Sequence, residues 1–381
     1  MSYNKRFREY LVMFIFCLDS CLLGFRGIII NSYCSLGLCL SLIALFIYAT
    51  LFILLFLQSY RPRELIIILI LLGISVLIYK TVKTTIPLYT ILFIIASKNK
   101  NLAKIFKYNL YGIVFAYGLV ILLAITGFIH TEYTPIENSN SLGFINPNGL
   151  AGRALYITLL IVVLYSKRLS VISYFLLFGH ALLISMVSKS RTGLILSLFV
   201  IIGSITIRKN CYLRNFLIKH IRFFLFTIVL FCIAGFVFWQ TVPFLHKIDS
   251  ILTGRFRWAQ VYFITYGVNL FGSITDDISE RGYGALVLDN GYAYLIVKFG
   301  IIYFLTFIFL YFITASVLKN MKDYNGLFLI LITFIGLITE TGWIPINTNI
   351  TICLCSLAIY NQSIGKKMRT NKLGPFAEKC G

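Results

Sequence analysis

Four polar segments interrupt an otherwise apolar sequence, and the first combines helix-starting residues with residues that can bind sugar or phosphate. Residues 143–153 read GFINPNGLAGR. Proline is well tolerated in the first turn of a helix, and Asn146 stands just before Pro147, where an N-cap is expected. The amides of Asn146 and Asn148 and the guanidinium of Arg153 also supply hydrogen-bond donors for sugar hydroxyls or phosphate. The residue types predict either a capped helix entry or a substrate-binding segment.

A cationic turn with the sequence SKSRTG forms the second segment, at residues 188–193 between two apolar runs. An arginine near the membrane core costs a few kcal/mol, so it usually has an anionic partner or an aqueous cavity. Long basic side chains can instead extend to lipid headgroups. Lys189 and Arg191, flanked by small hydroxyl residues, are therefore candidates either for headgroup contact or for binding a diphosphate.

Two arginines separated by an aromatic residue mark the third segment, TGRFRW at residues 253–258. On a loop helix, Arg255 and Arg257 can bind phosphate while Phe256 or Trp258 faces apolar surface or stacks on a sugar. An interfacial anchor without a binding function is the alternative.

Acidic and amide residues characterise the fourth segment, which begins at Glu280 and Arg281 and ends at Asp289 and Asn290. It precedes the next apolar run, so a carboxylate here can act either as a helix cap or as a general base. Residue types alone favour the cap.

The elements that must position these segments are membrane helices. Mean hydropathy is +0.89 and only 12% of the 381 residues are charged, which excludes an ordinary soluble domain. Apolar runs close to the ~20 residues of a bilayer span recur, and they lack the short alternation of a β-barrel. We therefore predict an all-α integral membrane protein, a single polytopic membrane domain over residues 1–381 that forms a bundle of about twelve transmembrane helices. The predicted helices lie near residues 10–29, 35–57, 65–79, 85–97, 109–129, 149–165, 170–187, 193–207, 222–241, 291–316, 326–341 and 346–361.

The distribution of charge predicts the orientation of this bundle. With the N-terminus inside, 23 of the 34 lysine and arginine residues fall in cytoplasmic segments, as the positive-inside rule requires. Both termini are then cytoplasmic. The net charge of +21 is divided among short clusters between apolar runs, which argues against a nucleic-acid partner. Residues 241–290, the longest polar stretch, are predicted to form a long periplasmic or extracellular loop between helices 9 and 10; loops of this length are usually functional or disordered.

The sequence lacks the motifs of several other chemistries. No P-loop, dinucleotide fingerprint or nucleophile elbow occurs, which argues against an ATP-driven pump. The four histidines have no metal-ligand spacing, so neither a metal nor another cofactor is predicted. His246 and Glu340 are only weak candidates for catalysis.

In this order, the four segments resemble those of the O-antigen polymerase (Wzy) and O-antigen ligase superfamily of bacterial polysaccharide enzymes. The resemblance covers about residues 110–310 and is to a pattern of motifs. The matching positions are the entry at residues 146–151, the turn at residues 188–193 after one helical hairpin, Gly254-Arg255 with Trp258, and Asp289-Asn290 before Tyr292, Tyr294 and Gly300.

The resemblance implies metal-independent, inverting glycosyl transfer in a fold like that of the GT-C membrane glycosyltransferases. Donor and acceptor would be glycans on undecaprenyl diphosphate, joined on the outer face of the bacterial inner membrane, with membrane lipid and a chain-length regulator protein as further partners. The resemblance assigns Arg191 and Arg255 to binding the diphosphate and stabilising its developing charge, assisted by Lys189 and Arg257. Asp289 is the candidate base. Further substrate contacts would come from Asn146, Asn148, Arg153, Glu280, Arg281 and Asn290.

Three other functions compete with a polymerase. Ligases of the superfamily resemble one another in a His-Asn pair at the exit of the long loop, where this chain has Asp289-Asn290, so the resemblance favours a polymerase over a ligase that transfers finished glycan to another acceptor. A polysaccharide flippase or transporter would need charged residues in the middle of its spans, where Asp19 and Lys298 are the main ones here. A structural scaffold would need no arginines in the outer loops.

Overall fold

A computed structural model describes residues 3–29, 34–129, 131, 133–134, 139–144, 146–275, 288–345 and 348–360 of the chain. Within these residues the helices are α1 (Tyr3–Ile29), α2 (Cys34–Phe56), α3 (Pro62–Val82), α4 (Ile86–Ala96), α5 (Leu102–Ile125), α6 (Pro147–Tyr165), α7 (Val171–Ser188), α8 (Arg191–Lys209), α9 (Cys211–Val237), α10 (Pro243–Ile251), α11 (Arg255–Tyr266), α12 (Gly291–Lys298), α13 (Ile301–Asn320), α14 (Tyr324–Thr339) and α15 (Ser356–Tyr360). Two-residue strands β1 (Tyr133–Thr134) and β2 (Ser139–Asn140) pair antiparallel between α5 and α6.

The helices identify the chain as an all-α, multi-pass membrane protein. In the described part, eight of them are long and apolar enough to cross a membrane, namely α2, α3, α5, α6, α7, α8, α9 and α13. Their carbonyl and amide groups bond within each helix, which is what a segment in lipid requires. The predicted fold class is confirmed at this level.

The described residues fall into two compact units. The first lies within Met1–Gln58 and Ala96–Asn215, and the second within Ser59–Ile95 and Phe216–Gly381.

In the first unit, α1, α5 and α6 are joined by close packing and by a buried polar chain. A Cβ at Gly112 of α5 would collide with the backbone oxygen of Cys17 in α1, so the absence of a side chain allows the two helices to approach. Nearby, Asn109 Nδ2 donates to Ser20 Oγ, and Tyr156 Oη donates to Asn109 Oδ1 at 3.1 Å. These buried amide and hydroxyl groups satisfy one another across three helices.

Contacts at the ends of helices in the first unit join segments that the charge pattern assigns to the cytoplasmic side. Lys104 near the start of α5 pairs with Glu9 near the start of α1 at 3.3 Å. Arg208, near the end of α8, donates to the backbone oxygen of Ser166 at the end of α6 at 2.6 Å. The predicted grouping of these segments therefore fits the packing inside this unit.

In the second unit, the prediction of a single helix over residues 291–316 is wrong. The chain forms α12, breaks at Phe299 and Gly300, and starts again as α13. Gly300 has φ of 88°, and a Cβ there would collide with the backbone of Leu270 and Gly272. The break places Lys298, predicted to lie in mid-span, at the end of a short helix.

The start of α13 is satisfied by the backbone that precedes α12. The amide of Ile301 donates to the carbonyl of Asn269 at 3.0 Å, and the amide of Ile302 donates to Leu270 at 3.2 Å. The first amides of a helix have no partner within it, so these bonds stabilise the break.

The last helix also differs from its prediction of residues 346–361. In the described part of that range, a 3₁₀ helix (Ile350–Cys355) leads into the short α15. Asn349 explains the tighter start, because its Nδ2 donates to the carbonyl of Trp343 at 2.6 Å and its Oδ1 accepts from the amide of Thr351 at 3.2 Å.

Candidate functional site

The predicted helix entry at residues 143–153 is a capped start of α6. Asn146 Oδ1 accepts from the amide of Gly149 at 2.6 Å, and Pro147 occupies the first helical position. The cap leaves Asn146 and Asn148 exposed on the end of the helix. Arg153 lies in the second turn and is half-buried, and its buried Nε has no hydrogen-bond partner among the residues that the structure describes.

The cationic turn at residues 188–193 is ordered by its hydroxyl residues. Lys189 takes a left-handed conformation with φ of 55°, which ends α7. Ser190 then caps α8, since its Oγ accepts from the amide of Gly193 at 3.4 Å, and its own amide donates to Ser188 Oγ at 3.3 Å. Both serines are buried, whereas Lys189 and Arg191 are exposed. The structure therefore presents the two cations of the predicted cationic turn from an ordered backbone.

The structure brings these first two segments together. A Cβ at Gly193 would lie 2.8 Å from the Cβ of Ala151, so the first turn of α8 packs directly on the first turns of α6. Two helix N-termini, each with partial positive charge, are therefore neighbours of Lys189, Arg191 and Arg153. Among the residues that the structure describes, no carboxylate forms an ion pair with any of these three cations. The arrangement can bind an anion.

In the second unit, two helices lie within the predicted outer loop and position Arg255. Asp249 at the end of α10 is buried, and its Oδ1 and Oδ2 accept from the amides of Phe256 at 2.7 Å and Arg257 at 3.1 Å. The carboxylate thus caps the start of α11, where negative charge is stabilising. Gly254, with φ of 83°, makes the tight turn between the helices. The sequence offered no signal for Asp249, because this cap acts across the turn.

The third and fourth segments meet at Arg255. Its side chain is only 9% exposed and forms ion pairs with Asp289, through Nη1, and with Glu340, where Nη2 and Oε1 are 3.3 Å apart. The Nε atom of Arg255 is buried and has no hydrogen-bond partner in the described part of the chain. This cluster of Arg255, Asp289 and Glu340 joins residues from three distant parts of the sequence.

Glu340, a weak candidate for catalysis from the sequence, is a member of this cluster. It is a lone acidic residue directly after the apolar α14, without a recognisable motif. Burial raises the pKa of Glu340 to about 7, although Arg255 opposes that shift. A carboxyl group with such a pKa exchanges a proton near neutral pH, which is a common property of catalytic acids and bases.

Asn290 serves as a buried helix cap. Its Oδ1 accepts from the amide of Ala293 at 3.0 Å, and its Nδ2 lies 3.2 Å from both the carbonyl of Ile338 and the sulfur of Cys232. The amide is therefore already engaged within the protein, and its predicted contact with substrate stays a prediction.

Arg257 is exposed and lies near two aromatic rings. Its guanidinium is 4.7 Å from the ring centroid of Trp258 and 5.9 Å from that of Trp239. The ring of Trp239 also contacts that of His246 at 4.6 Å. This surface fits either alternative from sequence, an interfacial anchor or a platform for sugar.

Glu280 and Arg281 lie outside the described residues. In the part that is described, no group of three or more His, Cys, Asp or Glu side chains is arranged to hold a metal ion. No protein-family model, curated protein or solved structure matches the chain.

Proposed function

We propose that the chain is a membrane glycosyltransferase of the O-antigen polymerase type, which joins undecaprenyl-diphosphate-linked oligosaccharides on the outer face of a bacterial inner membrane. In this proposal it has a GT-C-like bundle of about twelve membrane helices, with both termini in the cytoplasm. The observation that carries the proposal is the group of cations at the paired starts of α6 and α8.

Whether an arginine is already paired with a carboxylate decides its role in the proposal. Arg191 and Lys189 are exposed beside two helix N-termini and have no carboxylate partner among the described residues. Arg255 already faces two carboxylates. A diphosphate gains more from the first group, because its negative charge does not have to displace an existing ion pair. Arg191 and Lys189 therefore bind the donor diphosphate, and Arg255 has mainly an organising role.

The proposed reaction needs cations that stabilise the leaving group and a base that accepts one proton. An acceptor hydroxyl attacks the anomeric carbon of the donor sugar, a new C–O bond forms, and the bond to the diphosphate oxygen breaks with inversion. The leaving undecaprenyl diphosphate takes the electron pair of that bond, and Arg191 and Lys189 stabilise its charge. The proton of the hydroxyl goes to a general base. Asp289 and Glu340, which both pair with Arg255, are the candidates for that base.

Elongation of surface glycan in cells tests the diphosphate assignment. Arg191→Ala should reduce glycans to single repeat units, with normal amounts of protein in the membrane. Lys209→Ala, an exposed cation at the other end of the same helix, is the matched control and should keep long chains. Long chains of normal distribution in Arg191→Ala cells would contradict the proposal. Complete loss of surface glycan after deletion of the chain would indicate a ligase.

A pair of isosteric variants identifies the base. Asp289→Asn and Glu340→Gln each remove one carboxylate that faces Arg255. The variant that removes the base should lower the elongation rate by about 100-fold or more. The other should retain most of the activity. Wild-type activity in both variants would exclude both residues as bases.

A further inference from the structure

An open groove in the second unit lies between α9 and α13. Its volume is about 680 Å³, and apolar side chains of both helices line it. Phe226, Leu305 and Phe309 are 53%, 56% and 65% exposed, so the described residues leave large apolar surfaces uncovered along it. Exposed apolar patches of this kind mark contacts with lipid or with a partner.

The groove has one polar end and one apolar end. Lys319 Nζ donates to the backbone oxygen of Lys219 at 3.0 Å, so the end of α13 meets the early part of α9. Arg222 and Ser316 line the groove one turn from those residues, which places them at the same end. Leu305 also lines the groove, at the opposite end.

The length of the groove fits a single acyl chain. From Leu305 to Ser316 the helix rises about 16 Å at 1.5 Å per residue. The hydrocarbon core of a bilayer is about 30 Å thick, so this distance is about that of one leaflet. A chain that follows α13 over this distance reaches from the headgroup level to the bilayer midplane.

The polar end has the charge that an anionic headgroup needs. Arg222 is exposed, and none of the residues that line the groove is acidic. Lys319 adds a second cation beside this end. A guanidinium binds phosphate oxygens in a fixed fork, and basic residues at a membrane surface favour anionic lipids.

We propose that this groove binds one anionic phospholipid, with its phosphate at Arg222 and one acyl chain along α13 from Ser316 to Leu305. The site does not depend on the proposed glycosyl transfer. It lies at the end of the unit that carries the basic residues predicted to be cytoplasmic, so the lipid would come from the inner leaflet.

Native mass spectrometry of the purified full chain in detergent tests this site with phosphatidylglycerol and phosphatidylcholine of identical acyl chains. Wild-type protein should bind phosphatidylglycerol more tightly, and Arg222→Ala should remove about a fivefold preference, as expected for one basic residue at a membrane surface. Arg222→Lys should retain most of it. Arg214→Ala removes the same charge from the same helix outside the groove and should behave as wild type.

The apolar end provides an independent arm. Leu305→Trp adds bulk at an exposed position and should weaken phosphatidylglycerol binding although Arg222 is present. Glycerol phosphate, which has the phosphate but no acyl chain, should not compete. Equal binding of both lipids to wild type, equal losses in Arg222→Ala and Arg214→Ala, or full competition by glycerol phosphate would each overturn the proposal.

Discussion

Removal of the Arg255 guanidinium should destabilise the second unit strongly, because two carboxylates would lose their shared partner. Arg255→Met keeps an unbranched apolar stem of similar length and removes only the charge and its donors. Asp289 and Glu340 would then both be left without their cation, in a site where the arginine side chain is only 9% exposed.

The size of the effect follows from the geometry. At the 3.3 Å between Arg255 Nη2 and Glu340 Oε1, Coulomb's law with an effective dielectric constant of about 20 gives about 5 kcal/mol. The side chains of Asp289 and Glu340 are 24% and 26% exposed, so water screens part of this attraction. Removing one partner of a buried pair costs ~3–5 kcal/mol, and we expect the lower value, about 3 kcal/mol.

Thermal unfolding of the purified chain in detergent measures this loss. The midpoint for Arg255→Met should fall by roughly 5 °C at neutral pH. The loss should be larger at pH 8 than at pH 5, because Arg255 holds the pKa of Glu340 down and its removal makes the ionised carboxyl less favourable. Arg257→Met, an exposed arginine of the same helix, is the matched control and should change the midpoint little.

A triple variant tests whether the two unpaired carboxylates cause the loss of stability in Arg255→Met. Arg255→Met combined with Asp289→Asn and Glu340→Gln leaves no unpaired charge in the cluster and should recover much of the lost stability. If Arg255→Met unfolds at the wild-type midpoint at pH 8, or if the triple variant is no more stable than the single one, the reasoning is refuted.

Three further predictions concern single residues. Burial raises the pKa of Glu340 to about 7 from its ordinary 4.5, so between these pH values the folded chain binds more protons than the unfolded chain. The free energy of unfolding should therefore fall as pH rises through that window. Glu340→Gln should flatten this dependence in unfolding midpoints measured at several pH values. Asn290→Ala removes a buried cap and should cost about 1–2 kcal/mol in the same unfolding assay, whereas an unchanged midpoint would show that the cap is dispensable. Gly300→Ala should lower the midpoint sharply or prevent folding, because its φ is 88° and the backbone of Leu270 blocks a Cβ; Gly118→Ala, in a helix with nothing within 4 Å, is the control and should raise stability by about 0.5–1 kcal/mol.

Features set by neighbouring residues could be predicted from the sequence. The start of α6 follows from Asn146 and Pro147, because the cap bond to Gly149 spans only three residues. The turn before α8 is similar, since Ser190 caps the helix that it precedes. The membrane spans also follow from composition, because a long apolar helix has few alternatives in lipid.

Features set by contacts between distant residues could not be predicted. The run at residues 291–316 is apolar enough for one helix, and only the approach of Leu270 and Gly272 shows why the chain breaks at Gly300. The partnership of Arg255 with Glu340 joins residues 85 positions apart. No local pattern reports such a pair, and a lone glutamate after an apolar helix has the same sequence signal as a solvated one.

Arg191 and Arg255 differ in their ion pairing, and this difference would affect how a polymerase of the proposed type stabilises the leaving diphosphate. The resemblance treats Arg191 and Arg255 as equivalent ligands of the diphosphate, but among the residues that the structure describes, Arg255 pairs with two carboxylates and Arg191 with none. A guanidinium between two carboxylates attracts a diphosphate only weakly. The attraction becomes stronger once Glu340 is protonated, and the pKa of about 7 of the Glu340 carboxyl allows this near neutral pH. If Glu340 takes the proton of the acceptor hydroxyl, one of the two carboxylates that neutralise Arg255 loses its negative charge at the step when the leaving diphosphate gains charge. If Asp289 is the base instead, Glu340→Gln should keep most of its elongation rate and should lose only the dependence of that rate on pH near 7.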